Sequence, residues 1–331
     1  MSRLPPPLNI APPLINTANP AATTLDDLRG LYTCRSTGAV TTRTSLIQGF
    51  DHNPQFHQYT VFDPHHTENN NQSTATLNSL GYSPHTLSTY LGFIKTISDE
   101  LPEKCSKSFI VSVTGTPEDT AACYKLIACT ARQVNFPLAM EVNLSCPNIP
   151  SRPPPAYSED ALTTYLEHIT KAITDAGNDT PRIPVGLKTP PYTYATQYHG
   201  LISALERSAS AVEGGVCPIS FVAATNTLGS CLVLDAATSQ PALPGVGLGG
   251  MAGTPLHPLA LGNVSTIRRM LDERPEKLGH VQVIGIGGVM DAAGYTRMRV
   301  AGADVVGLAS GLLLKGVGVF GEIEESLEGR W

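Results

Sequence analysis

Short apolar, β-branched runs alternate along the chain with segments of helical periodicity, and each run ends in polar or glycine residues. That alternation predicts an α/β protein whose eight parallel strands, joined by right-handed crossovers, close into a (β/α)8 TIM barrel. Length agrees: 331 residues are long for a sandwich and natural for one barrel. The chain is therefore expected to form a single domain over 1–331, with inserted loops and small strands at the C-terminal face.

The runs, in order, are LINTAN (14–19), AVTTRT (39–44), FIVSVTG (109–115), AMEVNLS (139–145), PVGLKT (184–189), FVAATNT (221–227), VQVIGIGG (281–288) and DVVGLAS (304–310). Between them, TPEDTAACYKLIACTARQV (116–134) opens with acidic residues, and SEDALTTYLEHITKAITDAG (158–177) opens at a serine cap and ends at glycine, as helices start and stop. Residues 47–85 are polar and turn-rich, and 228–250 are rich in glycine and proline around CLVL. Both follow predicted strands, so both are expected on the rim where barrel sites are built, with 47–85 placed to act as a lid.

Apolar residues make up 41% and charged residues 15%, with 30 Gly and 27 Pro, which fits a globular body with many short connections. The net charge of −6 and the lack of any Lys/Arg cluster leave no footprint for nucleic acid or an anionic membrane surface. The opening MSRLPPPLNIAPPL is broken by proline, and no window reaches the roughly 18 apolar residues of a membrane span. A soluble, cytoplasmic protein is expected. Seven cysteines, at 34, 105, 123, 129, 146, 217 and 231, show neither CxxC nor Cys/His metal spacing. Reduced thiols fit them better than a disulfide framework or a metal site, and a single reactive cysteine remains compatible.

Chemistry is expected where polar residues end barrel strands, because deeper inward positions must pack apolar side chains. Asn16, Arg43, Thr44, Asn143, Ser145, Cys146, Lys188, Asn226 and Thr227 all sit at or just past such ends. Any one asparagine reads equally as a turn former, but five strand ends coinciding on one rim is harder to explain that way. IGIGGVMDAAG (284–294) and GLASGLL (307–313) place Gly287, Gly288, Ala309 and Ser310 before helix starts, a combination that binds phosphate. Gly247, Gly249 and Gly250 are candidates for a third wall, although glycines also simply permit close strand–helix packing. Lys188 ends an otherwise apolar strand, so its ammonium requires an internal carboxylate or a negative cofactor. Flavin mononucleotide (FMN), which carries phosphate and gains negative charge on reduction, satisfies both features.

Cys146 lies in EVNLSCPNIPSRPPP (141–155), where Pro147 stops the strand and Pro153, Pro154 and Pro155 shape a surface loop. A cysteine after a strand is commonly a small buried apolar residue. Over a barrel mouth its thiol can instead accept a substrate proton. No histidine lies within twenty residues of it, which disfavours a sequence-local Cys–His nucleophile.

NLSCPNIPSRPPP resembles the active-site loop of the soluble, FMN-containing class 1A dihydroorotate dehydrogenases. LNSLGY (77–82), VGLKTPPY (185–192), ATNTLG (224–229), GLGGMAGTPLHPLALGNV (247–264) and IGIGGVMDAAGYTRMRVAGADVVGLASGLL (284–313) are similar to that family in the same order, so the resemblance runs from about Asn9 to Phe320. It implies a homodimer that oxidises dihydroorotate to orotate in pyrimidine biosynthesis, with fumarate reoxidising the flavin. It implies that Cys146, beside Ser145, is the base. Asn78, Leu80, Gly81, Asn143, Asn148, Asn226, Thr227 and Arg43 would meet the substrate. Ala18, Thr44, Asn143, Lys188, Thr225, Gly249, Gly250, Gly287, Gly288, Ala309 and Ser310 would meet FMN. The absence of an added N-terminal membrane helix speaks against the quinone-using class.

The chain also departs from the family pattern. Arg43 stands where the family has lysine, Phe50 and His57 stand where it has two arginines around Asn53-Pro54, and Asn16-Thr17-Ala18-Asn19 replaces an NASG run. Arginine and lysine are not equivalent in a tight site, and losing two cations weakens the field for a carboxylate. Two alternatives therefore stand beside dihydroorotate oxidation: a flavin-dependent dehydrogenase or ene-reductase acting on another cyclic amide or specialised metabolite, and a non-catalytic barrel that binds a phosphate-bearing ligand.

Overall fold

The computed structural model describes residues 4–66, 69–101, 104–149, 153–177 and 180–331. Part of the predicted proline loop, Pro150 to Arg152, lies outside the described residues, as do two positions of the 47–85 segment. The strands are β1 (Leu14–Asn16), β2 (Ala39–Thr41), β3 (Tyr59–Phe62), β4 (Ala75–Asn78), β5 (Ser108–Val113), β6 (Leu138–Asn143), β7 (Val185–Thr189), β8 (Phe221–Ala224), β9 (Leu228–Leu232), β10 (Leu248–Gly253), β11 (Gln282–Ile286) and β12 (Val305–Leu308). The helices are α1 (Leu25–Thr33), α2 (Leu87–Asp99), α3 (Pro117–Thr130), α4 (Glu159–Asp175), α5 (Ala195–Ser210), α6 (His257–Asp272), α7 (Pro275–Leu278), α8 (Ala292–Val300), α9 (Ser310–Lys315) and α10 (Gly318–Leu327).

Eight of the strands close a parallel barrel in the order β1-β12-β11-β8-β7-β6-β5-β2, and each falls within or overlaps one of the eight predicted runs. Seven of the eight strands end earlier than the apolar runs because their polar tails leave the ladder to form the rim, while β7 ends with its run at Thr189. Asn16 shows one use of such a tail. Its amide donates to Thr41 O (2.7 Å) and accepts from Thr41 N (3.0 Å), tying β1 to β2. It is a structural clamp and not a ligand group, contrary to the expectation from its strand-end position.

The barrel interior is filled by alternate residues of the strands, among them Ile15, Ile110, Ala139, Phe221, Ala223, Ile284, Ile286 and Val305. Phe221 fits because Gly186 on β7 has no side chain: a Cβ there would lie 2.2 Å from the Phe221 ring. Leu8 joins this cluster from the N-terminal strap, held by its N–H to Gln282 Oε1 (2.8 Å). Burying a phenylalanine of this kind is worth about 3–5 kcal/mol against alanine.

Helix α3 starts at Pro117 behind a capping box of Thr116 and Asp119, and α4 starts after Ser158, whose side chain accepts from Ala161 N–H. α3 stops at Thr130, short of the expected Val134. The chain there turns to bring Phe136 against Tyr32 and Phe109, at ring centroid distances of 5.1 Å each. The two irregular regions supply a second sheet, ordered β3-β4-β10-β9 and antiparallel in every pairing. It stands on the rim, with Thr76 of β4 bonded to Ser310 of α9 (3.1 Å). All seven cysteines are free thiols. Among the described residues no helix is long and apolar enough to cross a membrane.

Candidate active site

A cavity opens between the barrel rim and the second sheet, and a smaller one adjoins it over the ends of β8, β11 and β12. The larger is lined by Arg43, Thr44, Asn78, Leu80, Gly81, Asn143, Cys146, Asn148, Asn226 and Thr227, residues drawn from four separate segments. The smaller is lined by Thr225, Gly287 and Gly288, while Ala18, Lys188, Ala309 and Ser310 border both.

Lys188 is 4% exposed, yet among the described residues its ammonium makes neither a hydrogen bond nor an ion pair. A lone buried cation is unfavourable by several kcal/mol unless an anion meets it. Arg43, the second cation, is half-buried and donates to Tyr82 O (3.2 Å) and Thr23 Oγ1 (3.5 Å), with no carboxylate beside it among the described residues. Burial lowers its pKa. The cavity therefore offers two cations without counter-charges.

Four asparagines present fixed hydrogen-bonding edges. Asn148 spends both amide hydrogens on Leu80 O and Asn78 Oδ1 (2.8 Å each), which leaves its Oδ1 as an acceptor. Asn78 gives one hydrogen to Gly250 O (3.0 Å) and keeps one. Backbone carbonyls anchor both ends of this pair, so the amide orientations follow from the network. Asn143 Oδ1 accepts from Ser145 N, Ser145 Oγ and Asn226 Nδ2, and Asn143 Nδ2 gives one hydrogen to Thr44 Oγ1 (2.9 Å) and keeps one. Asn226 donates to Asn143 and Ser145, while its Oδ1 accepts from Thr227 N (2.8 Å) and retains a lone pair. The result is two donor–acceptor pairs, Asn78 with Asn148 and Asn143 with Asn226.

Ser145 does not line either cavity. Its hydroxyl proton goes to Asn143 Oδ1 (2.8 Å) and its oxygen accepts from Asn226 (2.9 Å), so it orients amides and has no free proton to transfer. Cys146 is half-buried and faces the larger cavity. Burial pushes its thiol pKa up, while the Asn148 backbone N–H, Lys188, the Tyr82 phenol and Arg43 act in the opposite direction.

Gly287 and Gly288 sit at φ 138° and 68°, conformations that favour glycine. A Cβ on Gly287 would lie 2.5 Å from Ala260 Cβ, and one on Gly288 would lie 2.6 Å from Gly253 O. Close packing and the cavity wall are thus both served. His257 supports the turn: its Nε2 accepts from Arg297 Nε (3.0 Å), so its Nδ1–H donates to Gly287 O (2.7 Å). Gly249 and Gly250 lie elsewhere. They belong to β10 and line neither cavity; a Cβ on Gly249 would meet Asn78 O at 2.5 Å and one on Gly250 would meet Thr227 Oγ1 at 2.2 Å. Their place is beneath the asparagine pairs and not at the glycine-lined end, where Gly253 stands in their stead.

Phe50 and His57 form an outer aromatic cluster, with ring centroids 5.0 Å apart and Phe50 5.8 Å from Tyr82. A Cβ on Gly81 would lie 2.3 Å from the Phe50 ring. Sequence reasoning passed over Asn19, Tyr59, Thr76 and Tyr82, which line the larger cavity, as well as His257. Tyr59 and Thr76 come from the second sheet, which carries no strand-end signal.

A family model described as dihydroorotate dehydrogenase matches residues 62–330. The chain is 29% identical over 319 residues to the dihydroorotate dehydrogenase (fumarate) of Trypanosoma cruzi, covering 96% of this chain and 88% of that protein. It is 27% identical over 320 residues to a putative dihydroorotate dehydrogenase A (fumarate) of Streptococcus uberis, covering 95% and 88%. It is 25% identical over 319 residues to the dihydroorotate dehydrogenase A (fumarate) of Lactococcus lactis, covering 96% and 90%.

Proposed function

Since the chain belongs to the dihydroorotate dehydrogenase family, oxidoreductases acting on a CH–CH bond, we propose that it oxidises dihydroorotate to orotate, with FMN as cofactor and fumarate as electron acceptor. The observation that carries this reading is the pair of amide edges in one cavity. Asn143 N–H beside Asn226 Oδ1, and Asn78 N–H beside Asn148 Oδ1, complement a ring bearing two C=O/N–H edges. A dihydropyrimidine has both, and Arg43 and Lys188 supply charge for its carboxylate and for a phosphate-bearing cofactor.

The residues fit FMN on three counts. Lys188 lacks a protein partner among the described residues and borders both cavities, Thr225 Oγ1 is buried without a hydrogen-bond partner, and Gly287 and Gly288 open the backbone at the smaller cavity. Lys188, Thr44 and Ala18 would hold the ring and Gly287, Gly288, Ala309 and Ser310 the phosphate. When bound, FMN would accept the hydride leaving substrate carbon 6. Cys146, as thiolate, takes the proton from carbon 5, so the C5–C6 bond becomes double and the atoms balance. The asparagine edges hold the ring in the plane this requires. On the same reading the protein is a single FMN-binding barrel domain acting as a cytoplasmic homodimer.

The test is an anaerobic titration of the purified yellow protein. Dihydroorotate should bleach the flavin, and fumarate should restore the colour. Bound flavin that keeps its colour with dihydroorotate present would exclude this substrate.

A further inference from the structure

We propose that Glu141 is a positioning residue that, from inside the barrel, makes Asn143 present a hydrogen-bond donor to the ligand. Glu141 precedes Asn143 by two residues on β6, so both point inward. It is 2% exposed, and among the described residues no cation lies within ion-pair distance of it. A carboxylate in such a place is unfavourable unless its hydrogen bonds compensate. Its Oε1 accepts from Ser112 Oγ at 2.8 Å.

The consequence follows from counting protons. Ser112 has one hydroxyl hydrogen, and Glu141 takes it. At its 2.9 Å contact with Thr44 Oγ1, Ser112 must then accept, so Thr44 donates. Thr44, its hydrogen spent, can only accept from Asn143 at 2.9 Å. Asn143 therefore turns its NH2 group down toward Thr44 and its carbonyl toward Ser145 and Asn226. The capacity left facing the cavity is one N–H. The site thus selects a ligand atom that accepts a hydrogen bond at this point, a carbonyl or carboxylate oxygen.

Without the carboxylate the relay runs backwards. Ser112 becomes free to donate to Thr44, and Thr44 then points its hydrogen at the Asn143 NH2. Opposing a flipped amide would then be Ser145 N–H at 3.2 Å, the Ser145 hydroxyl and Asn226 Nδ2 at 3.3 Å. Either the amide turns over or its bond to Thr44 breaks, and in both cases the donor loses its fixed place.

Two measurements test this on the holoenzyme; only the second rests on the dihydroorotate reading. In a neutron structure after exchange into D2O, the deuterons of Asn143 should point at Thr44 Oγ1 and into the cavity, with that of Ser112 on Glu141. A carbonyl facing Thr44 overturns the proposal. Spectral titration with orotate should show Glu141→Gln within about threefold of wild type, because its amide carbonyl still accepts from Ser112. Glu141→Met and Ser112→Ala should bind orotate about tenfold more weakly at unchanged flavin content. Ser112→Ala keeps the carboxylate and carries the comparison should the methionine variant fail to fold. Equal losses in the Gln and Met variants, or no loss in either Met or Ala, overturn it. If wild type fails to bind orotate, the dihydroorotate reading falls, and the neutron result still decides the role of Glu141.

Discussion

The Cys146 thiol must lose its proton to act as a base, and burial opposes that loss. Its pKa is raised above the ordinary thiol value by burial, so at neutral pH the protonated thiol predominates. The sign is direct: the active form is the deprotonated one, so the rate of anaerobic flavin bleaching should rise with pH and level off only above the thiol's own raised pKa. Replacing Cys146 by Ser should slow bleaching by about 10²–10⁴-fold, and by Ala at least as much, while the flavin remains bound. Stopped-flow rates from about pH 6 to pH 9 check this; a flat profile in wild type would remove Cys146 as the base. The neighbouring cations and the Asn148 N–H favour the thiolate. They limit the rise that burial imposes without cancelling it.

At the scale of elements, the barrel strands were legible because each is an apolar run that must face both a barrel interior and a helix layer, and their polar tails marked the rim. Glu141 was also legible in principle, as a charge two residues before Asn143 in AMEVN, on the same face by strand period. The second sheet was not. β10 pairs with β4, Gly250 opposite Asn78, across 172 residues of sequence, and LGGMAG has too little side chain to show strand periodicity. Its glycines consequently resembled a phosphate loop. The geometry now separates the two glycine groups by experiment. Gly250→Ala would drive a Cβ against Thr227 Oγ1 at 2.2 Å and disturb the carbonyl that holds Asn78, so KM for substrate should rise about tenfold while flavin content is kept. Gly288→Ala places a Cβ 2.6 Å from Gly253 O at φ 68°, so it should lose flavin first. Flavin-to-protein ratios and KM on both variants decide it; a flavin loss in Gly250→Ala matching that in Gly288→Ala would return β10 to the phosphate site.

For the whole molecule, the central fact is a barrel that buries Lys188 without a partner among the described residues. Lys188 borders both cavities, so an anion bound there would meet a cation that has no protein partner among the described residues. With 331 residues at about 2 cal/mol/K each, unfolding entropy near the melting temperature is roughly 0.7 kcal/mol/K. FMN at about 100 times its Kd adds about 2.7 kcal/mol, so melting should rise by about 4 °C. Lys188→Met should separate the two states in opposite directions. Removing a lone buried cation in favour of an apolar chain of similar length should stabilise the flavin-free protein by about 1–4 kcal/mol, or roughly 1–6 °C. On the FMN reading proposed above, the same change removes the charge facing the cofactor, so FMN affinity should fall about 10- to 100-fold and added FMN should raise melting less than in wild type. Calorimetric scans of both proteins, stripped and reloaded with FMN, measure all four states. A flavin-free Lys188→Met protein that melts below wild type would mean that Lys188 is satisfied within the empty fold, and the argument that its charge is held for an anionic cofactor would fail.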